Sequence, residues 1–201
     1  MVAESFTVWF TGMTGSGKST LVAMLHDHIV GLGYQCESLD SGRIRQSLNR
    51  SLGFTREEIE ANLMRIAYEC KLLNRNGIIA IVGAISPYRD ARDRIREDLG
   101  RFIEVHCRCP LEVLVKRDRS NLLERAQRGE VEHVAGINAP YEEPMKPEVL
   151  LNTDTESPDA CVKKILTTLR ILEYLPEAST SAYTPAEEEI IKERLRDLGY
   201  I

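Results

Sequence analysis

The amino-acid sequence predicts an α/β fold in which helices cover both faces of a doubly wound parallel sheet. Short β-rich segments alternate with helical patterns along most of the chain, as strand–helix–strand units require. The run Phe6–Thr11 ends abruptly in glycines and is followed by helical spacing of apolar residues in Ser19–Val30. Ile78–Val82 is a continuous apolar run, which is typical of a central parallel strand buried on both faces. Ligands of such sheets bind at the carboxyl ends of the strands, so residues that follow a strand are the first candidates for a site.

The remaining elements can be assigned in chain order. Thr55 and Glu58 form a capping-box pattern that begins a long helix, and Asn76-Gly77 ends it. Ser157-Pro158 is a typical start of another helix. The other predicted elements are a strand at Gln35–Leu39 that stops at Asp40, a helix at Arg89–Leu99, a strand at Phe102–Cys107, a helix after Pro110 and a strand at Val149–Leu151.

Two segments depart from this alternation. Residues 117–148 are first charged and then rich in Pro and Gly, which favours a mobile lid over a part of the core. Beyond Pro176 a loose stretch precedes a final helix that begins near Thr184 and ends at Gly199. We therefore predict a main domain at 1–175 and a linker plus C-terminal helix at 176–201. The apolar stripe of that helix predicts docking on the domain or on a partner subunit, so a homodimer is a possible assembly.

Composition narrows the class of protein. The net charge of −5 argues against a broad nucleic-acid interface, which needs a basic face. No apolar run is long enough to cross a bilayer, and the N-terminal residues lack the basic region of a signal peptide, so we expect a cytoplasmic protein without membrane contacts. The five cysteines are odd in number and widely spaced, which favours buried, reduced thiols over disulfides or a zinc site.

The most specific pattern is a phosphate-binding loop. Residues 12–19, Gly-Met-Thr-Gly-Ser-Gly-Lys-Ser, fit the P-loop pattern G-x-x-x-x-G-K-[ST] between a predicted strand and a predicted helix. Glycines let consecutive backbone N–H groups face phosphate oxygens, and the helix places its positive end there. Lys18 would reach the β- and γ-phosphates of ATP, and the Ser19 hydroxyl would hold Mg²⁺. A chance glycine-rich turn is the alternative, and the strand–loop–helix position argues against it. The main domain is therefore predicted to be a P-loop kinase domain.

The carboxylate expected beside this loop is Asp40. The apolar run Ile78–Val82 ends without the Asp of a switch-type ATPase or GTPase, whereas Asp40 ends the second strand. Its carboxylate would suit water-mediated metal ligation or orientation of an attacking hydroxyl, and a helix N-cap is the alternative role. The lid carries arginines that would cover the transferring phosphate, a solvated charged face being the alternative. These arginines are Arg117, Arg119, Arg125 and Arg128.

The chain resembles the adenylylsulfate (APS) kinases, which phosphorylate the 3′-hydroxyl of APS to give PAPS in sulfate assimilation. The resemblance covers about Phe6 to Leu175, and its most diagnostic piece is Ile-Ser-Pro-Tyr-Arg at 85–89. The other matching pieces are the loop at 12–20, Leu-Gly-Phe-Thr at 52–55, Phe-Ile-Glu-Val at 102–105, Gly-Ile at 136–137, Pro-Tyr-Glu-Glu-Pro at 140–144 and Pro-Glu at 147–148.

The resemblance implies a role for several residues. Asp40 would help manage the metal and act in catalysis with Lys18, Arg45 and Ser86. Phe54 would stack on the acceptor's base, because an aromatic face suits a nucleotide. The implied ATP-binding residues are Gly12, Gly15, Ser16, Gly17, Lys18, Ser19, Thr20 and Arg117. The implied acceptor-binding residues are Arg45, Phe54, Asn62, Ile85, Ser86 and Ile137.

Four positions depart from the family pattern, all on the acceptor side. They are Gly42 in place of a second Asp, Ile59 in place of Arg, Glu124 in place of Lys, and Val134 in place of a second stacking Phe. Three hypotheses therefore stay open: an APS kinase, a kinase of this fold retuned for another small anionic acceptor, and an inactive nucleotide-binding module. Arg43 could supply a replacement cation.

Overall fold

A computed structural model describes residues 5–42, 44, 53–176 and 185–201. Within these residues, five strands form a single parallel sheet in the order β2-β3-β1-β4-β5. The strands are Thr7–Thr11 (β1), Cys36–Asp40 (β2), Ile79–Gly83 (β3), Phe102–Arg108 (β4) and Val149–Asn152 (β5). The helices with described bounds are Lys18–Gly31 (α1), Arg56–Arg75 (α2), Arg89–Leu99 (α3), Leu111–Arg117 (α4), Leu122–Gln127 (α5), Pro158–Ile171 (α6) and Pro185–Asp197 (α7). The predicted doubly wound α/β fold is confirmed.

Hydrophobic clusters lie on both faces of the sheet, as the burial of the central strands requires. All five residues of β1 and all five of β3 are buried. Val8 and Phe10 of β1 belong to the cluster that includes residues of α1 and α6. Trp9, between them, belongs to the cluster that includes residues of α2 and α3. The alternation follows from the two-residue period of a strand.

The helix starts that the sequence predicts have the expected capping bonds. Glu58 N donates to Thr55 Oγ1 at 3.3 Å, and Thr55 N donates to Glu58 Oε2 at 3.1 Å, which completes the capping box of α2. Ser157 caps α6 by accepting from Ala160 N at 3.3 Å. These bonds are local in sequence, which is why the pattern alone could predict them.

The predicted lid has a small apolar cluster of its own. Residues 117–148 include the short helix α5, and Leu123 and Ala126 of this helix pack with Val134 and with Leu114 of α4. The segment therefore contains packed side chains where the sequence favoured a loose lid. Its mobility stays a prediction.

The C-terminal helix docks on the domain. Arg194 donates through Nε and Nη2 to the carbonyl oxygen of Pro147 at 3.1 and 2.7 Å. Leu195 is fully buried, and Tyr200 donates its hydroxyl to Glu148 Oε1. One of the two predicted docking modes is thus present within the chain. None of the helices in the described ranges is both long and apolar enough to span a bilayer.

Candidate active site

The phosphate loop joins β1 to α1 at the carboxyl edge of the sheet. Gly15 and Gly17 have φ of +81° and +87°, a region that residues with a Cβ rarely adopt. A Cβ on Gly12 would lie 2.6 Å from the carbonyl oxygen of Cys107, so the loop starts in close contact with β4. Gly17 is the N-cap of α1, whose first N–H groups therefore open onto the loop. This geometry can bind the phosphates of a nucleotide.

Lys18 is the cation of this loop. Its Nζ donates to the carbonyl oxygens of Gly12 and Met13, both at 2.8 Å, and lies 3.5 Å from Ser16 Oγ. Burial lowers the pKa of Lys18 to about 8, against the opposing influence of Cys107 and Asp40. The ammonium group is therefore poorly solvated and would gain from an anion placed beside it.

The oxygen donors available for a metal are Ser19 and Asp40. Ser19 lies in the first turn of α1 with an exposed side chain, and Asp40 ends β2 opposite Gly83. In the described ranges no group of three or more His, Cys, Asp or Glu side chains could hold a metal by itself. This donor set fits Mg²⁺, which usually takes one or two protein oxygens together with substrate phosphates and water. Ser19 and Asp40 would hold it.

A cavity of about 540 Å³ adjoins the loop and has the dimensions of a nucleotide site. Gly15, Gly17 and Thr20 line one side of it. Arg117 lines it too and donates to the carbonyl oxygen of Thr153 at 2.9 Å. Residues 153–158, which follow β5, complete the wall and were missed by sequence reasoning. The rule that ligands bind beyond the carboxyl ends of strands could have found them.

The loop after β3 holds Ser86 in a strained and buried position. Its φ is +41°, and its Oγ accepts from Trp9 Nε1 at 3.1 Å. Its carbonyl oxygen accepts from Arg92 Nη1 at 2.6 Å. The neighbouring Ile85 carbonyl oxygen accepts from Thr11 Oγ1 at 2.7 Å, which ties this loop to the end of β1. A non-glycine residue at positive φ needs such support, and strain of this kind clusters at functional sites.

The segment at 140–144 packs against this same loop. Tyr141 Oη lies 3.2 Å from Thr11 Oγ1, and Glu142 N donates to the Pro87 carbonyl oxygen at 2.8 Å. Arg92 donates to the Glu142 carbonyl oxygen at 2.7 Å. The Ile-Ser-Pro-Tyr-Arg motif at 85–89 and the Pro-Tyr-Glu-Glu-Pro motif at 140–144 are therefore in contact. Arg92 was missed as a site-building residue because its bond to Glu142 spans 50 residues of sequence.

The predicted acceptor residues lie at several places in the fold. Asn62 is buried on α2, and Ile137, like Met13 of the phosphate loop, packs against the apolar cluster of the lid. Phe54 is 55% exposed, and its ring faces His133 with a centroid separation of 6.4 Å. Arg45, a predicted catalytic and acceptor-binding residue, lies outside the described residues, as does Arg43.

The four lid arginines have different surroundings. Arg117 lines the cavity, whereas Arg125 and Arg128 pair with Glu130 at 3.5 and 2.9 Å. The side chain of Arg119 is exposed. The alternative of a charged surface therefore describes Arg125 and Arg128, which pair with Glu130. Arg117 is the one of the four that lines the cavity beside the phosphate loop.

The model of the adenylylsulphate kinase family matches residues 4–152. The chain belongs to the adenylylsulphate kinase family. It is 41% identical over 175 residues to an adenylyl-sulfate kinase of Rippkaea orientalis, covering 87% of this chain and 97% of that protein. It is 42% identical over 173 residues to a probable adenylyl-sulfate kinase of Pyrococcus abyssi, covering 86% and 99%. The fold also matches the Mycobacterium tuberculosis APS kinase structure in complex with AMPPNP and APS, with a TM-score of 0.78 and 33% identity over 83% of this chain and 98% of that one.

The structure shows the surroundings of the four departures from the adenylylsulphate kinase pattern. Ile59 packs against the core cluster on the α2 and α3 face, so an apolar side chain stands where the family has a cation. Val134 is buried in the cluster of α4 and α5, and Glu124 is exposed on α5. Gly42 is exposed, and a Cβ there would lie 3.1 Å from Asp40 Oδ1. Gly42, two residues after Asp40, has no side chain and therefore supplies no second carboxylate.

Proposed function

We propose that this protein transfers the γ-phosphate of ATP to the 3′-hydroxyl of adenylylsulfate, giving PAPS and ADP. The observation that carries the proposal is the phosphate loop with its enclosed Lys18, in a chain of the adenylylsulphate kinase family. The similar Mycobacterium tuberculosis structure, which holds AMPPNP and APS, supports this pair of substrates.

The chemistry requires positioning and charge neutralisation more than covalent catalysis. The acceptor's 3′-oxygen attacks the γ-phosphorus, and the bond from that phosphorus to the bridging oxygen breaks. Lys18 would turn from the carbonyl oxygens of Gly12 and Met13 towards the β- and γ-phosphates. Asp40 would accept a hydrogen bond from the attacking hydroxyl, orient it and receive its proton as the new P–O bond forms. Mg²⁺, held through Ser19 and Asp40, would supply neutralising charge on the phosphate oxygens.

The acceptor would lie between the loop after β3 and the lid. Ser86 and Ile85 are fixed there by Trp9, Arg92 and Thr11, so their backbone is preorganised for a substrate. Phe54 offers an exposed aromatic face to the adenine ring. Asn62, Ile137 and Arg45 complete the proposed acceptor set.

A kinase of this fold acting on another small anionic acceptor is the second candidate. Ile59 within an apolar cluster favours it, because loss of a buried cationic contact to an anion typically costs about 2–5 kcal/mol. The inactive nucleotide-binding module is disfavoured by the intact set of Lys18, Ser19 and Asp40 around the loop.

A coupled ADP-release assay distinguishes these functions. Purified protein is given ATP and Mg²⁺ with APS or with a panel of hydroxyl-bearing nucleotides and metabolites, and the product is identified by mass. APS kinase activity predicts ADP and PAPS in equal amounts, lost in Lys18→Ala while cooperative unfolding is retained. ADP release with another acceptor supports the second candidate. ATP binding without release from any acceptor would refute both kinase proposals.

The assembly, compartment and domain division remain proposals beside this activity. We expect a cytoplasmic enzyme with domain boundaries at 1–175 and 176–201, and a homodimer as its assembly. One similar solved structure is described as a hexameric APS kinase of Thiobacillus denitrificans. The number of subunits in this protein therefore has to be measured. Light scattering after size-exclusion chromatography gives the mass of the protein in solution.

A further inference from the structure

Two exposed rings face each other across the acceptor side. Phe54 directly precedes the N-cap of α2, and His133 lies in the loop after α5. Their planes are within 9° of parallel, and their centroids are 6.4 Å apart. The Phe54 residue is 55% exposed and the His133 side chain 54%, so both keep open surface.

This separation is close to what a planar ring would need between them. Stacked bases lie about 3.4 Å apart, so a base held between two rings requires roughly 7 Å. A centroid separation of 6.4 Å lies within the range of offset-stacked rings, which overlap only in part. A purine would enter by sliding the two rings into register, with one face on each side of the base.

The loop backbone directs His133 outward and Val134 inward. His133 has φ of +62°, the left-handed region that few residues with a Cβ adopt. Val134 is 6% exposed and packs with Leu123 and Ala126. Asn138 holds this arrangement: its Oδ1 accepts from Val134 N at 2.8 Å, and its Nδ2 donates to the Val131 carbonyl oxygen at 2.6 Å.

We infer that His133 is the second base-binding ring of the acceptor site, so that the adenine of the acceptor lies between Phe54 and His133. The inference rests on the proposed function. It assigns to His133 the stacking role that the family pattern would put one residue later, at Val134. The competing role is a surface histidine beside Glu132, whose Oε2 lies 3.9 Å from His133 Nε2.

Steady-state kinetics of His133→Ala tests the inference. Loss of one base–aromatic stack should raise KM for APS roughly 5- to 150-fold, with kcat and KM for ATP within about twofold of the parent protein. His133→Phe should restore most of the APS affinity because it keeps an aromatic face. Glu132→Ala, at the adjacent exposed position, is the matched control and should leave all three constants unchanged.

Nuclear magnetic resonance spectroscopy detects the contact between the adenine of APS and the His133 ring. The chain has four histidines, so the imidazole Hε1 signals are few, and the spectrum of His133→Phe identifies the signal of His133. APS added without ATP should move this signal upfield through the ring current of adenine.

The two proposals fail in different ways. Turnover of APS by the parent protein, with equal KM in His133→Ala and Glu132→Ala and an unmoved His133 signal, overturns the inference and leaves the kinase function standing. Absence of both APS turnover and APS binding overturns both.

Discussion

The Arg92 guanidinium donates through Nε to Oε1 of Glu104 at 2.7 Å, and both side chains are almost fully buried. The two other nitrogens of Arg92 donate to the carbonyl oxygens of Ser86 and Glu142. One buried cation on α3 therefore joins β4, the loop after β3 and the C-terminal part of the predicted lid. Burial raises the pKa of Glu104, an effect that Arg92 and Arg96 oppose.

Arg92→Met should lower the free energy of unfolding by about 3–5 kcal/mol. The substitution leaves a buried carboxylate without its main partner and two carbonyl oxygens without a donor. Urea denaturation followed by circular dichroism measures the loss. A change below about 1 kcal/mol would show that the pair is not a major source of stability.

The double variant Arg92→Met/Glu104→Leu separates stability from site geometry. It removes the uncompensated charge, so part of the stability should return. The bridge between Ser86 and Glu142 stays broken, so KM for the acceptor should stay raised. Full recovery of both would contradict a positioning role for Arg92.

The lowered pKa of Lys18 predicts that ATP binding takes up a proton above pH 8. In the free protein, Lys18 is half deprotonated at about pH 8, whereas a bound phosphate would restore the charged form. ATP affinity should therefore fall as pH rises above 8, by up to about tenfold per pH unit. Calorimetric titration at pH 8.5 in buffers of different ionisation enthalpy counts the proton. Lys18→Arg stays charged and should show neither effect, and zero uptake by the parent protein would contradict the prediction.

Features that depend on neighbouring residues could be predicted from sequence, and those built from distant ones could not. The phosphate loop and the caps at Thr55 and Ser157 use bonds within a few residues, so their patterns were sufficient. Arg92 looked like one of several helix charges, since its partner Glu142 is 50 residues away. His133 was missed because the family pattern directs attention to Val134. The φ of His133, +62°, turns His133 rather than Val134 towards Phe54, and no local sequence motif predicts this backbone conformation.

His106 should make the protein less stable as pH falls below about 6.5. Burial and three nearby cations, Arg92, Arg108 and Arg194, lower its pKa to about 4, so the folded protein keeps it neutral. The unfolded chain takes up the proton below its ordinary pKa of 6.5, which favours unfolding. The loss should reach about 3 kcal/mol near pH 4. His106→Gln lacks this titration, so the difference in unfolding free energy between the two proteins isolates it from the carboxylates. A difference independent of pH between 4 and 7 would contradict the assignment.

Because α7 docks on the domain, we predict that Leu195→Ala lowers the free energy needed to open α7, whereas Ile190→Ala leaves it unchanged. Leu195 is fully buried, and removing a buried leucine side chain typically costs about 2–5 kcal/mol. Ile190 lies on the same helix but is 67% exposed, so its truncation should change stability by less than about 0.5 kcal/mol. Native-state hydrogen exchange measures the opening free energy of α7 itself, including opening that leaves the sheet intact. Equal effects at the two positions would mean that α7 does not dock through Leu195 in solution. A loss confined to Leu195→Ala would instead support the contacts that Arg194 and Tyr200 make with Pro147 and Glu148.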